Sequence, residues 1–260
     1  MLFSKQLTVT NVEQINHDTK RITFALPGGD SEVSGVPASS AILTQHTPTG
    51  AWFPVFRPYT PVHDRDEPGV LQLVVKKYPN GRASGHLHSL APGEKLAVRG
   101  PLPGYAWKQS SQPRDVLAVA GGAGITPIYS LIKGVLSDTE DKTRINLLWG
   151  VNGPRDVVFR DEFEKLQAAF PERLQVTYFV SGAEAKSDAS SFGDEARWKK
   201  GYIDKSGLQD AIRSCQKGSF GDEKGTKVFF CGPPGMQEAI TGRNGTLNEL
   251  GLAKKEVHVF

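Results

Sequence analysis

The sequence predicts two domains: an N-terminal antiparallel six-stranded β-barrel over residues 1–109, then an α/β doubly wound parallel sheet over residues 115–260. Three observations carry that reading. Short segments rich in β-branched and aromatic residues recur in the first part, bounded by turn signals such as PGGD at 27–30 and TPTG at 47–50. After residue 114 the periodicity changes, and short apolar strands alternate with helical stretches. Between them lies Gln109 to Arg114, QSSQPR, polar and punctuated by proline, where the boundary is set.

Residues 5–12, 20–26, 39–46 and 52–56 read as the first four strands, VLQLVVK at 70–76 as the fifth and KLAVR at 95–99 as the sixth. Strands at this spacing suggest a closed antiparallel barrel. GRASGHLHSL, which interrupts them, reads as its one helix. Beyond the boundary, DVLAVA, RINLLWG, LQVTYFV, KVFFC and EVHVF read as strands. PIYSLIKGVL, VFRDEFEKLQAAF, KSGLQDAIRSC and PGMQEAITG read as the helices between them. Such alternation requires right-handed crossovers and a parallel sheet.

Composition excludes some classes. With 38% hydrophobic and 23% charged residues the chain is ordinary globular material. A net charge of +3 suits an acidic protein partner but is too small to argue for nucleic acid. Its two cysteines, Cys215 and Cys231, have no metal or CxxC spacing, so a reduced interior is expected. No run reaches the ~18 apolar residues that cross a bilayer, and MLFSKQLTVT is no signal peptide. The chain reads as soluble, with any membrane tether preceding residue 1.

Four stretches carry chemistry. FRPYTPVH, Phe56 to His63, reads as a strand stiffened by Pro58 and Pro61, which remove backbone donors and exclude an ordinary central strand. Alternation puts Arg57 and Tyr59 on one face and Thr60 and Val62 on the other. A guanidinium suits a diphosphate, a phenol a flat ring or ribityl chain, and the Thr60 hydroxyl a ring nitrogen; a proline-rich edge strand with a surface arginine would account for the stretch alone. Gly81-Arg82-Ala83-Ser84 opens the barrel helix, where Gly81 admits close backbone approach and free N–H groups attract anions. YPNG before it is also a good hairpin turn. In GGAGITP, Gly122 and Gly124 leave room for a dinucleotide, Thr126 follows, and Pro127 fits the first turn of a helix. The last, CGPPGM, holds Cys231, Gly232, Pro233 and Met236. The strand-end rule puts Thr126 and Cys231 at one sheet edge. A cysteine ending an apolar strand is often mere packing; here it reads as a positioning group, not a nucleophile. His86 and His88, spaced by two on a helix, point to different sides and read as surface and cap residues rather than metal ligands.

Arg-x-Tyr-Thr, Gly-x-x-Ser, the glycine turn and Cys-Gly-Pro-Pro, in this order, resemble the ferredoxin-reductase superfamily of flavin enzymes. The nearest resemblance is to NADH–cytochrome b5 reductases of the fungal mitochondrial type, and it runs from INHDTKRITFALP to Phe260. It implies an FAD-binding barrel, an NAD(P)H-binding α/β domain, and electrons passing from NADH through FAD to cytochrome b5 or a similar acidic haem protein. Arg57, Pro58, Tyr59, Thr60, Val74, Lys76, Tyr78 and Gly81 to Ser84 would hold the flavin, with Lys76 near the nicotinamide end. Thr126 would stand at the flavin–nicotinamide junction and the Cys231 turn beside the nicotinamide. Thr60, Thr126 and Cys231 are thus the catalytic candidates, and no metal is implied. Lys77, Arg82 and Lys108 form the expected acceptor rim. Two departures stand out. His63 replaces the Ser of many relatives, and Ser181 follows the third strand where an Asp would hold the ribose, so NADPH becomes an alternative cofactor, with Lys186 or Arg197 near its phosphate. The resemblance also implies a monomer at the mitochondrial outer membrane or intermembrane space. A reductase of ferredoxin, quinone or ferric chelate, or a non-catalytic protein keeping the fold, are the competing readings.

Overall fold

The computed structural model describes residues 4–110, 114–182, 197–215 and 227–260. The chain divides into two compact units, residues 1–106 with 129–134, and residues 107–128 with 135–260.

In the first unit six strands form one antiparallel sheet. They are β1 (Ser4–Gln14), β2 (Thr19–Ala25), β3 (Ala41–His46), β4 (Val55–Tyr59), β5 (Val70–Lys76) and β6 (Lys95–Leu102), in the order β4-β3-β6-β1-β2-β5. Alternation does the folding. Leu71, Leu73 and Val75 of β5 point inward with Ile22 and Phe24 of β2 and Leu96 and Val98 of β6. Each such side chain contributes about 1.5–3 kcal/mol when fully buried. Helix α1 (Arg82–Ser89) adds Leu87 to the same core.

The proline-rich strand is shorter than its sequence suggests. β4 is an edge strand paired with β3 alone, Leu43 standing opposite Pro58, which is where a residue without an N–H is tolerated. It ends at Tyr59, so Thr60 and Val62 do not extend its alternation. The chain instead crosses to the other sheet edge, where the Val62 N–H donates to the Gln72 carbonyl of β5 at 3.0 Å. That bond joins the two edges of the barrel. Residues 52–54 lie outside β4, and Trp52 and Phe53 are 94% and 80% exposed rather than paired in a strand.

The second unit is a parallel sheet built from β7 (Arg114–Gly121), β8 (Thr143–Val151), β9 (Leu174–Val180), β10 (Trp198–Lys200), β11 (Lys227–Cys231) and β12 (Val257–Val259). Their order is β10-β9-β8-β7-β11-β12, with helices α3 (Arg160–Ala169), α4 (Lys205–Cys215), α5 (Pro234–Thr241) and α6 (Thr246–Glu249) and the two ends of α2 (Ile125–Leu136), whose residues 129–134 group with the first unit. Every residue of the central strand β7 is buried. At its start Asp115 takes both hydrogen bonds of Arg144, at 2.6 and 2.9 Å, so the buried charge is paired. Strand β10 and helix α6 are absent from the sequence reading. Three residues in the one and four in the other are too few to show a period. β10 is fixed by Trp198, which stacks on Tyr178 at 4.5 Å between ring centres.

Candidate functional site

In the first unit the two sequence-distant stretches meet. One cavity of about 750 Å³ is lined on one side by Val55 to Tyr59 and on the other by Tyr78 and Asn80 to Ser84. Arg57 is exposed, one of its guanidinium N–H groups donating to the Phe56 carbonyl at 2.7 Å. Tyr59 packs against the barrel core, and burial, reinforced by Tyr78 and offset by the Arg57 charge, pushes its phenol up to about 12. It therefore stays a neutral donor. Opposite, the Gly81 N–H closes a turn on the Tyr78 carbonyl at 3.0 Å, with Asn80 at φ 58°, and α1 begins at the next residue. Ser84 ties the turn: its hydroxyl accepts the Tyr78 N–H at 3.2 Å and donates to the Gly81 carbonyl at 3.4 Å. A β-carbon on Gly81 would stand 2.3 Å from that hydroxyl oxygen. The turn and the helix start, which competed as readings of this stretch, are both present. No side chain caps α1, which leaves its first N–H groups available to an anion.

The remaining candidates of this unit lie apart from that cavity's lining. Thr60 is buried just beyond β4. Val74 is buried on the face of β5 opposite Leu73 and Val75. Lys76 is held by Asp18 at 3.0 Å. Burial works against ionisation of that carboxyl, but hydrogen bonds from Lys76 and Thr19 and the charges of Lys76 and His17 take it below its usual range. His63 is wedged between Ser34, 2.9 Å from its Nε2, and the Gln72 N–H, 3.4 Å from its Nδ1. Of the two histidines in the last turn of α1, His86 is partly exposed and His88 is not a surface residue. His88 is buried, its Nε2–H donating to the Val75 carbonyl at 2.8 Å, and His86 stacks on His46. Phe56 and Asn80 line the cavity and were not singled out in the sequence; the Asn-Gly pair of the turn was the available signal.

In the second unit the glycine turn and the Cys231 turn are locked together. β11 pairs with β7 so that Cys231 faces Ala120, and the two turns leave the sheet side by side. A β-carbon on Gly121 would lie 2.4 Å from Met236 Sδ and 2.8 Å from the ring Cδ of Pro233, so a larger residue would push the two turns apart. Gly122 sits at φ 51°, its carbonyl accepting the Trp149 Nε1–H at 3.1 Å. Thr126 and Pro127 both fall in the first turn of α2, and the Thr126 hydroxyl donates to the Ala123 carbonyl at 3.3 Å. Helix α5 starts beside Gly232 and Pro233, so two helix N-termini and a glycine-lined backbone share one sheet edge. Burial pushes the Cys231 thiol up to about 11, which keeps it protonated at neutral pH.

After β9 come Ser181, whose hydroxyl donates to the Val151 carbonyl at 3.3 Å, and Gly182. Lys186 lies outside the described residues. Arg197 precedes Trp198, which pairs with Tyr178, so it stands about 10 Å below the carboxyl edge at the rise of a strand. Lys200, opposite Val180 and exposed, occupies that edge instead. It was hidden in the sequence because β10 itself was.

A family model described as an oxidoreductase FAD-binding domain matches residues 6–107, and one described as an oxidoreductase NAD-binding domain matches residues 118–242. The chain is 39% identical over 206 residues to NADH-cytochrome b5 reductase 2 of Pyricularia oryzae, covering 79% of this chain and 59% of that protein. It is 41% identical over 174 residues to the protein of that name from Emericella nidulans, covering 67% and 53%. The chain thus spans little more than half the length of these curated relatives. Among solved structures it is similar to the cytochrome b5 reductase domain of Ulva prolifera nitrate reductase, with TM-score 0.80 and 26% identity, covering 99% of this chain and 97% of that one. The fold is also that of a ferredoxin NADP+ reductase from Neisseria gonorrhoeae, with TM-score 0.71 at 14% identity over 99% and 98% of the two chains.

Proposed function

We propose that the chain is an NADH–cytochrome b5 reductase of the ferredoxin-reductase superfamily, which oxidises NADH and passes the electrons to cytochrome b5 or a similar acidic haem protein. The observation that carries this reading is the cavity bordered by both Arg57–Tyr59 and Gly81–Ser84, since a cationic strand facing an uncapped helix start is what a flavin dinucleotide needs. FAD, when bound, supplies the redox chemistry, accepting a hydride and releasing its two electrons singly.

The residues of the chain bind, orient and exclude. Arg57 and the first N–H groups of α1 hold the diphosphate; Tyr59 and Thr60 hold the ribityl chain and ring. Residues 1–109 form the FAD domain and 115–260 the nicotinamide domain in this reading. The clasped turns at Gly121–Thr126 and Cys231–Gly232 receive the nicotinamide cofactor along glycine backbone, with two helix N-termini facing its phosphates. Thr126 and Cys231 position that cofactor and move no proton. Ser181 in place of an acid, with Lys200 at the same edge, supports acceptance of NADPH beside NADH. Lys77 and Lys108 are exposed cations suited to steering an acidic acceptor.

Among the described residues no helix is long and apolar enough to cross a membrane. On the resemblance to the fungal mitochondrial form, we assign the protein to the outer membrane or intermembrane space, as a monomer. The test is direct. Purified protein should be yellow, should bleach anaerobically with NADH, and should then reduce cytochrome b5. A colourless protein, or a yellow one that NADH leaves coloured, overturns the reading.

A further inference from the structure

We infer that the adenosine half of the flavin dinucleotide lies in a second cavity of the first unit, against the stacked imidazoles of His46 and His86; this rests on the flavin reading above. The second cavity, about 500 Å³, shares Tyr78, Asn80, Gly81 and Arg82 with the 750 Å³ cavity that Arg57 and Tyr59 line. Those shared residues are the turn into α1 and the first residue of the helix. An anion-attracting helix start therefore divides two compartments. A flavin dinucleotide has the matching form, with a flat ring system on each side of a diphosphate. With the diphosphate at the divider, one ring system falls in each compartment. The loop from β3 to β4 supports one continuous groove, because Pro48 and Thr49 line the second cavity and Pro54 the first.

The wall of the second cavity has the chemistry of a base site. His46 ends β3 and His86 lies in α1, and their ring centres are 3.5 Å apart with planes 7° from parallel. Burial lowers the pKa of both, helped by the Arg82 charge at His46 and by His46 itself at His86. Neutral imidazoles each offer one N–H and one lone pair. That pairing matches the mixed donor and acceptor edge of a purine better than it matches a further phosphate. Flat rings also offer a stacking surface that any base can use. Riboflavin monophosphate, FMN, would leave this compartment empty.

The test strips flavin from the full chain and titrates it calorimetrically with FAD and, separately, with FMN. Wild type should bind FAD at least about tenfold tighter than FMN. His86→Ala should weaken FAD by about tenfold to a hundredfold, the range of one lost base stack, and leave FMN binding unchanged. His86→Phe, which keeps a flat ring, should retain most of the FAD affinity. FMN affinity doubles as the check on folding: if His86→Ala loses both ligands, His46→Ala takes its place. A wild-type FAD-to-FMN ratio in the alanine variant overturns the inference while leaving the flavin reading intact. A wild-type chain that binds neither flavin overturns both.

Discussion

Gly124 and Cys231 approach so closely that a β-carbon on Gly124 would stand 2.3 Å from the Cys231 carbonyl oxygen. The obstacle is backbone at the end of a paired strand, which cannot turn aside as a side chain could. Gly124→Ala should therefore destabilise the protein by about 1–3 kcal/mol, the usual range for overpacking. Gly235→Ala is the control, because a β-carbon there meets nothing within 4 Å, and it should be neutral or stabilising. Urea denaturation of the two variants checks this; equal stability would show that the two turns can separate freely.

Flavin retention should depend on Arg57. Hydrogen bonds to a charged group contribute roughly 1.5–3 kcal/mol each, so Arg57→Ala should release FAD more than about tenfold more readily. Arg57→Lys should recover only part of the loss, since an ammonium lacks the paired donors of the fork. Absorbance of the flavin in freshly purified variants measures both, and undiminished colour in the alanine variant would remove Arg57 from the site.

Thr126 occupies the first turn of α2 with its hydroxyl satisfied locally by the Ala123 carbonyl. Its loss should spare folding and flavin content yet slow reduction of the flavin by NADH, by up to about a hundredfold if alignment slips by an ångström. Stopped-flow absorbance under anaerobic conditions reads that step alone. A rate equal to wild type would leave Thr126 a structural cap only.

Cofactor preference should respond to Lys200. Lys200→Glu sets a like charge against the 2′-phosphate of NADPH, and rejection is half of specificity. NADPH should weaken by about tenfold or more while NADH is little changed. Parallel losses with both cofactors would show that Lys200 does not read the phosphate.

Acid should destabilise the fold through its buried imidazoles. Burial is the largest influence on His88 and lowers its pKa below the ordinary 6.5, with Lys20 and Lys77 pushing the same way and Val75 and Asp18 pushing back. A folded pKa below the unfolded one means stability is fully present above 6.5 and lost as pH falls through the folded value. His46, His63, His86 and His258 shift in the same direction. The melting temperature should fall between about pH 7 and about pH 5. His88→Gln, which keeps an N–H for the Val75 carbonyl, should flatten part of that slope; an unchanged slope would exclude His88 as a contributor.

The sequence by itself determined the two-part architecture, because period is local: Leu71, Leu73 and Val75 alternate within one strand, and β7 is an unbroken apolar run from Val116 to Ala120. It also determined the motif residues, since proline at Pro58 restricts the backbone and glycine at Gly81 and Gly124 lets it approach closely, properties that belong to the residue type itself. Tertiary structure alone decided what those residues meet. Tyr59 ends its strand because the chain must cross to Gln72, a partner ten residues ahead of Val62 in sequence. His88 is buried because β5 happens to present the Val75 carbonyl to it. Lys200 reaches the sheet edge through a three-residue strand too short to carry any period. Pairing across long separations depends on packing and loop closure, and neither leaves a periodic trace in the residues themselves.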